Sequence, residues 1–162
     1  KMQTINDYIN EYTIQLRKGQ IQKAYKGIMT FMSELKNYMA GRHPEYAASA
    51  LYFGYMDMTY FAFTPVELKK KNLKIAVVYL HEQNRFEVWL GGSNRKVQAE
   101  YIELLRKMDI GCYKLSQTGP GVDSIIEVQI DDRPDFEHAA DLMQKIEDKT
   151  IELSNNIISI LT

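Results

Sequence analysis

One cysteine, four prolines and nine glycines in 162 residues rule out several ways of building a protein. The lone Cys112 cannot close an intrachain disulfide, so nothing here depends on an oxidising compartment. Its setting, IGCYKL, is that of a small core residue rather than a nucleophile. The histidines, His43, His81 and His138, lie far apart, and the paired spacings of a zinc site are missing. No apolar run approaches the roughly 20 residues needed to span a bilayer. The first residues, KMQTINDYINEY, lack the apolar centre of a signal peptide. With 20 basic and 21 acidic side chains the net charge is −1, which exerts no global pull toward nucleic acid or anionic lipid. The expectation is a soluble cytoplasmic protein without cofactor, metal, membrane or nucleic-acid partner.

What the chain does have is helical and strand periodicity in a definite order. Ile5, Tyr8, Ile9, Tyr12 and Leu16 repeat at helical spacing, with Thr4 placed to cap and Gly19 to stop. A second helical stripe runs from Ile21 through Ala24, Tyr25, Ile28, Met32, Leu35 and Met39, ending at Gly41. LKIAVVYLH and RFEVWL read as two strands of a hairpin around Glu82-Gln83-Asn84. GGSNRK opens a third helix, SIIEVQI is a fourth strand, and a long helix starts near Asp135. Pro65 begins at most one helical turn. The chain thus reads as one α+β domain over residues 1–162. Its sheet is an antiparallel three-stranded meander plus a fourth strand joined by a helical, right-handed crossover. Two N-terminal helices and a long C-terminal helix pack against it.

The densest feature is residues 51–63, LYFGYMDMTYFAF, which hold a third of the chain's aromatics. Aromatics favour a pleated surface, so the segment reads as a long strand. Alternation then puts Tyr55, Asp57 and Thr59 on one face and Tyr60 on the other. Asp57, the only charge there, needs hydrogen bonds or a cation. Neighbouring hydroxyls from Tyr55 and Thr59 supply them in one account, and a binding pocket does in the other. Gly54 inside such a strand marks a bulge or a close backbone approach.

If the hairpin sets Ala76, Val78 and Leu80 beside Phe86, Val88 and Leu90, that face is core. The opposite face then gathers Tyr79 and His81 beside Arg85, Glu87 and Trp89, a polar-aromatic mixture suited to a ligand. A half-covered sheet face with rim charges is the structural alternative. Separately, Gly92, Ser93, Arg95 and Lys96 could bind an anion, since a helix N-terminus offers free amides. Otherwise Gly91 and Gly92 only permit a turn and Ser93 caps the helix, because no full phosphate-loop or dinucleotide pattern is present. Ser93, Ser116 and Ser124 lie in no nucleophile elbow. His138, near the start of the last helix, meets the unfavourable end of its dipole, which disfavours its charged form.

On GYMDMTYF, AVVYLHEQNRFEVWLGG, DSIIE and IQKAYKGIM the chain resembles an uncharacterised bacterial domain-of-unknown-function family of the seven-thousand series. The resemblance implies a one-domain bacterial cytoplasmic protein and carries no activity. A weaker likeness in element order is to restriction-endonuclease-like cores. It implies carboxylates on adjacent strands holding a divalent metal, with a lysine two residues beyond one of them. Here Glu87 stands on the third strand, but Trp89 occupies the lysine position and the second strand has no acid. Three functions follow. The first is a non-enzymatic small-ligand-binding or regulatory domain, its cleft lined by Tyr55, Asp57, Tyr60, Tyr79, Arg85, Glu87 and Trp89. The second is a metal-dependent nuclease-like or phosphate-processing enzyme, or a dead relative of one. The third is a homodimer formed through the last helix or the aromatic strand.

Overall fold

The computed structural model describes residues 2–162. In chain order the elements are α1 (Ile5–Arg17), α2 (Gln20–Arg42), β1 (Tyr46–Ala48), β2 (Met58–Pro65), α3 (Val66–Lys69), β3 (Leu73–Leu80), β4 (Arg85–Gly92), α4 (Arg95–Arg106), β5 (Ser124–Asp131) and α5 (Ala139–Leu161). A short 3-10 turn, Phe136–His138, leads into α5. The five strands form one sheet in the order β1-β2-β3-β4-β5, and every neighbouring pair is antiparallel. The fold is the expected α+β domain. Its last strand does follow a helix, but it returns beside β4 and antiparallel to it, so the handedness rule for parallel crossovers has no bearing.

The hairpin register differs from the expected one. The four-residue connection His81–Asn84 pairs Leu80 with Arg85, Val78 with Glu87 and Ala76 with Trp89. The core face is therefore Ile75, Val77 and Tyr79 opposite Leu90, Val88 and Phe86. Phe61 and Phe63 of β2 extend it on one side and Ile126 of β5 on the other. Helices α2 and α5 cover this face with Phe31, Met32, Leu35 and Met39, and with Leu142, Ile146, Leu153 and Ile157. Tyr79 consequently turns into the core, and burial pushes its phenol pKa up.

The aromatic segment is a strand only from Met58 onward. Gly54 and Met56 both adopt positive φ, +75° and +64°, which ends extended structure before it. A Cβ at Gly54 would overlap the Met58 carbonyl oxygen, so the loop closes as tightly as only glycine permits. The loop stays tied to β2 by paired backbone hydrogen bonds between Tyr52 and Tyr60, 2.7 and 3.0 Å.

Helix ends follow the sequence in part. Thr4 caps α1 in a capping box with Asp7. Asn94, not Ser93, caps α4, accepting from the Val97 amide. Helix α2 runs through Gly41 to Arg42. Cys112 is exposed rather than part of the core. His138 Nδ1–H donates to Asp135 Oδ2 at 2.7 Å, and that carboxylate raises its pKa, overriding the dipole effect expected at the helix start.

Candidate functional site

The face of the sheet opposite the core carries Met58 and Tyr60 from β2, Lys74, Ala76 and Val78 from β3, and Arg85, Glu87 and Trp89 from β4. Along it runs a groove of about 340 Å³. Tyr60, Val78 and Trp89 line one stretch, and the other end is closed by Gly92, Ser93 and the start of α4. Two features read separately in the sequence, the mixed sheet face and the GGSNRK turn, thus meet in one place. The reason is direct: only Ser93 and Asn94 separate the start of α4 from the end of β4, the strand that bears Trp89.

Glu87 organises the apolar wall. It is only 5% exposed, yet both its oxygens are used. Oε1 accepts from the Trp89 indole Nε1–H and Oε2 from the Arg85 Nε–H, each at 2.7 Å. A buried carboxylate satisfied twice is acceptable in energy, and here it fixes the orientation of the indole. Arg85 is neutralised in the same contact. Glu87 therefore serves as a positioning residue within the chain, not as a free carboxylate facing a ligand.

At the α4 end the charges divide. Arg95 is fully engaged: it pairs with Asp123 at 3.1 Å and donates to the carbonyls of Gly119 and Val122. Gln98 donates to Val122 and Ser124 at 3.0 and 2.9 Å. Together they clamp the loop before β5 onto α4. Lys96 is exposed, pairs with Glu100 at 3.9 Å and lies outside the groove lining. The Ser93 amide is spent on the Asn72 carbonyl. Lys74, which sequence reasoning passed over, lines the groove and has no ion pair among the described residues. Strand alternation puts it beside Ala76 and Val78, on the face that the expected register made core.

Gly92 allows the helix to start so close to the sheet. A Cβ there would stand 2.7 Å from the Gln98 backbone nitrogen and 3.0 Å from Val97 Cγ1. Gly92→Ala should cost about 1–3 kcal/mol through overpacking against backbone that cannot give way. A urea titration would show this as a lower midpoint with an unchanged slope. A midpoint equal to wild type would mean that α4 shifts freely.

The other candidates fall elsewhere. Tyr55 is 91% exposed at a loop tip. Asp57 is exposed in the same loop, and its Oδ1 accepts from the Tyr55 backbone amide at 2.8 Å rather than from a hydroxyl. That bond holds its carboxyl below the usual range. The Asp57 carbonyl receives the His81 amide at 3.0 Å. Thr59 Oγ1 donates to the Phe53 carbonyl at 2.6 Å and so accepts from His81 Nε2–H at 2.8 Å, which fixes the tautomer. Burial lowers the His81 pKa, with Asp57 opposing. This set latches the loop to β3. Asp57 and Glu87 do not share a cleft, and Tyr79 faces a different groove, beside α2. Among the described residues, no three His, Cys, Asp or Glu side chains converge as metal ligands.

No curated protein and no solved structure matches the chain. A family described as "Domain of unknown function (DUF7000)" matches residues 5–161, nearly the full length. The chain, with its five-stranded meander and its groove beside α4, belongs to that family of unknown function.

Proposed function

We propose that this protein is a non-enzymatic binding domain whose groove beside α4 takes a small planar ligand bearing an anionic group. One observation carries this reading: a tryptophan locked in orientation by Glu87 lies in the same groove as a lysine ammonium free of ion pairs. Trp89 and Tyr60 offer a flat apolar wall, the usual partner of a ring system. Lys74 offers the charge. The first-turn amides of Arg95 and Lys96 have no intrahelical partners and sit at the positive end of the α4 dipole. The wall needs no rearrangement on binding, which lowers the entropic cost of holding a ligand. A regulatory role would follow from such binding.

Trp89 is the sole tryptophan of the chain, so its emission reports on this groove alone. A thermal-shift screen with aromatic carboxylates and nucleoside monophosphates should raise the melting temperature for at least one of them. The same compound should shift or quench Trp89 emission. Lys74→Ala should weaken its binding by about 10- to 100-fold, the worth of a charge-assisted hydrogen bond. A stabilising compound that leaves the emission unchanged binds elsewhere and refutes the assignment. So does a screen in which no such compound stabilises the protein.

A further inference from the structure

We infer that the ligand of the groove beside α4 is a ribonucleotide. Its base lies on Trp89, its phosphate meets Lys74 and the start of α4, and its sugar hydroxyls donate to Gln98 and Asp123. The inference rests on the binding reading above and names the class of ligand. It starts from acceptors with capacity to spare. Gln98 lines the groove, is only 2% exposed, and spends both amide hydrogens on the carbonyls of Val122 and Ser124. Its Oε1 keeps one long contact, from Arg95 Nη1 at 3.4 Å. Asp123 lines the same end of the groove. Its Oδ1 meets Arg95 at 3.1 Å, and its Oδ2 accepts no hydrogen bond among the described residues. An amide oxygen and a carboxylate can only accept, so the ligand that completes them brings N–H or O–H donors. A buried acceptor short of partners makes such donors worth more than they are at an open surface.

Charge narrows the donors to hydroxyls. The Arg95 guanidinium touches both acceptors, and Lys74 lines the same groove. An ammonium would stand beside two cations there, whereas a hydroxyl carries no charge to be repelled. Asp123 offsets Arg95, and Glu127, which takes the Ser124 hydroxyl, is not part of the lining. Lys74 is thus the charge left for the anionic group.

The register sets the spacing. Trp89 stands opposite Ala76, and Lys74 opposite Gly91, two residues nearer α4. At about 3.3 Å per residue, Trp89 and Lys74 leave the sheet roughly 7 Å apart along the strands. A ring joined directly to its carboxylate sets ring and charge closer together than that. The sugar of a nucleotide bridges the gap and brings hydroxyls and phosphate to the Gly91 end together. Gly91 leaves room for them. A Cβ there would lie 3.4 Å from the Asp123 carbonyl oxygen and 4.0 Å from Lys74 Cγ, so bare backbone separates the acceptor from the cation.

The test reads Trp89 emission against ribonucleoside 5′-monophosphates, their 2′- and 3′-deoxy counterparts, and benzoate-type acids. At least one ribonucleotide should bind, and loss of a hydroxyl should weaken it about 10-fold, the worth of a hydrogen bond to a charged group. Asp123→Ala should weaken that ribonucleotide by a similar factor. It should leave the deoxy counterpart unchanged, because the partner of Asp123 is already gone. A loss shared equally by both nucleotides would show Asp123 acting only through Arg95 and would overturn the inference. Deoxy counterparts that bind as well as the ribonucleotide would do the same. Benzoate-type acids that bind while no nucleotide does would keep the binding reading and refute this one. If nothing in the panel moves the emission, both fall.

Discussion

Replacing Phe86 with alanine should remove about 3–5 kcal/mol of stability, the usual cost of truncating a buried phenylalanine. Phe86 is fully buried in β4 and stands at the centre of an aromatic cluster. Its ring centroid lies 5.5 Å from Phe31 of α2, 4.9 Å from Tyr79 of β3 and 5.9 Å from Phe136 before α5. Tilted pairs of this kind add about 0.5–1.5 kcal/mol each beyond area burial. The three partners come from different elements, so no single rearrangement can collapse the cavity. For a domain whose total stability is of the order of 5–15 kcal/mol, the loss is a large share. Urea unfolding followed by far-UV circular dichroism would measure it, with Phe86→Leu as the milder comparison. A loss below about 1 kcal/mol would show that the cluster is not the keystone described.

Glu147→Gln should be nearly as damaging, and it should change the pH profile as well. Glu147 of α5 is buried, and its Oε2 accepts from Arg42 Nε at 2.7 Å and from His43 Nε2 at 2.8 Å. The Tyr38 hydroxyl donates to Oε1 at 3.3 Å. All three partners come from the last turns of α2 and the residue after it, so this carboxylate joins α2 to α5. Burial pushes its pKa up, but the hydrogen bonds from Arg42 and His43 prevail and hold it below the ordinary glutamate value. Glu147 thus contributes stability at pH values above its unfolded pKa, and that contribution is lost as pH falls through the folded one. Removing one partner from a buried pair costs about 3–5 kcal/mol, and the lower end applies here because Arg42, 58% exposed, can rehydrate. Melting temperatures taken from neutral pH downward should fall steeply for wild type below the ordinary carboxylate range. The Glu147→Gln curve should be lower at neutral pH and flatter in that window. Parallel curves would mean that another carboxylate governs the acid transition.

Where alternation and turn chemistry agreed, the sequence was readable. The β3–β4 hairpin, the Thr4 cap, the single turn after Pro65 and the long α5 could all be placed from it. The register could not, because β3 is apolar on both faces: Ala76 and Val78 are as hydrophobic as Ile75 and Val77. Without a polar face, strand alternation gives no signal, and matching apolar to apolar put Tyr79 on the wrong side. Residues 51–57 misled through composition, since aromatic propensity says nothing of two positive φ values. The groove's lysine went unseen for the same reason as the register. Helix α1 shows the opposite limit: its stripe was plain in the sequence, but a stripe does not say which surface it meets.

The sheet order has a kinetic consequence. Every strand bonds to its neighbour in sequence, so most pairings close short loops, and such topologies fold fast for their size. The exception is β4 with β5, which are separated by α4 and the stretch before Ser124. That closure carries the largest entropic cost of any in the sheet and should come late on the folding path. The Arg95 and Gln98 clamp shortens the loose chain that must be closed once α4 has formed. Weakening it should therefore slow folding in proportion to how early the clamp is made, while mutations confined to β2 and β3 act on a part already built.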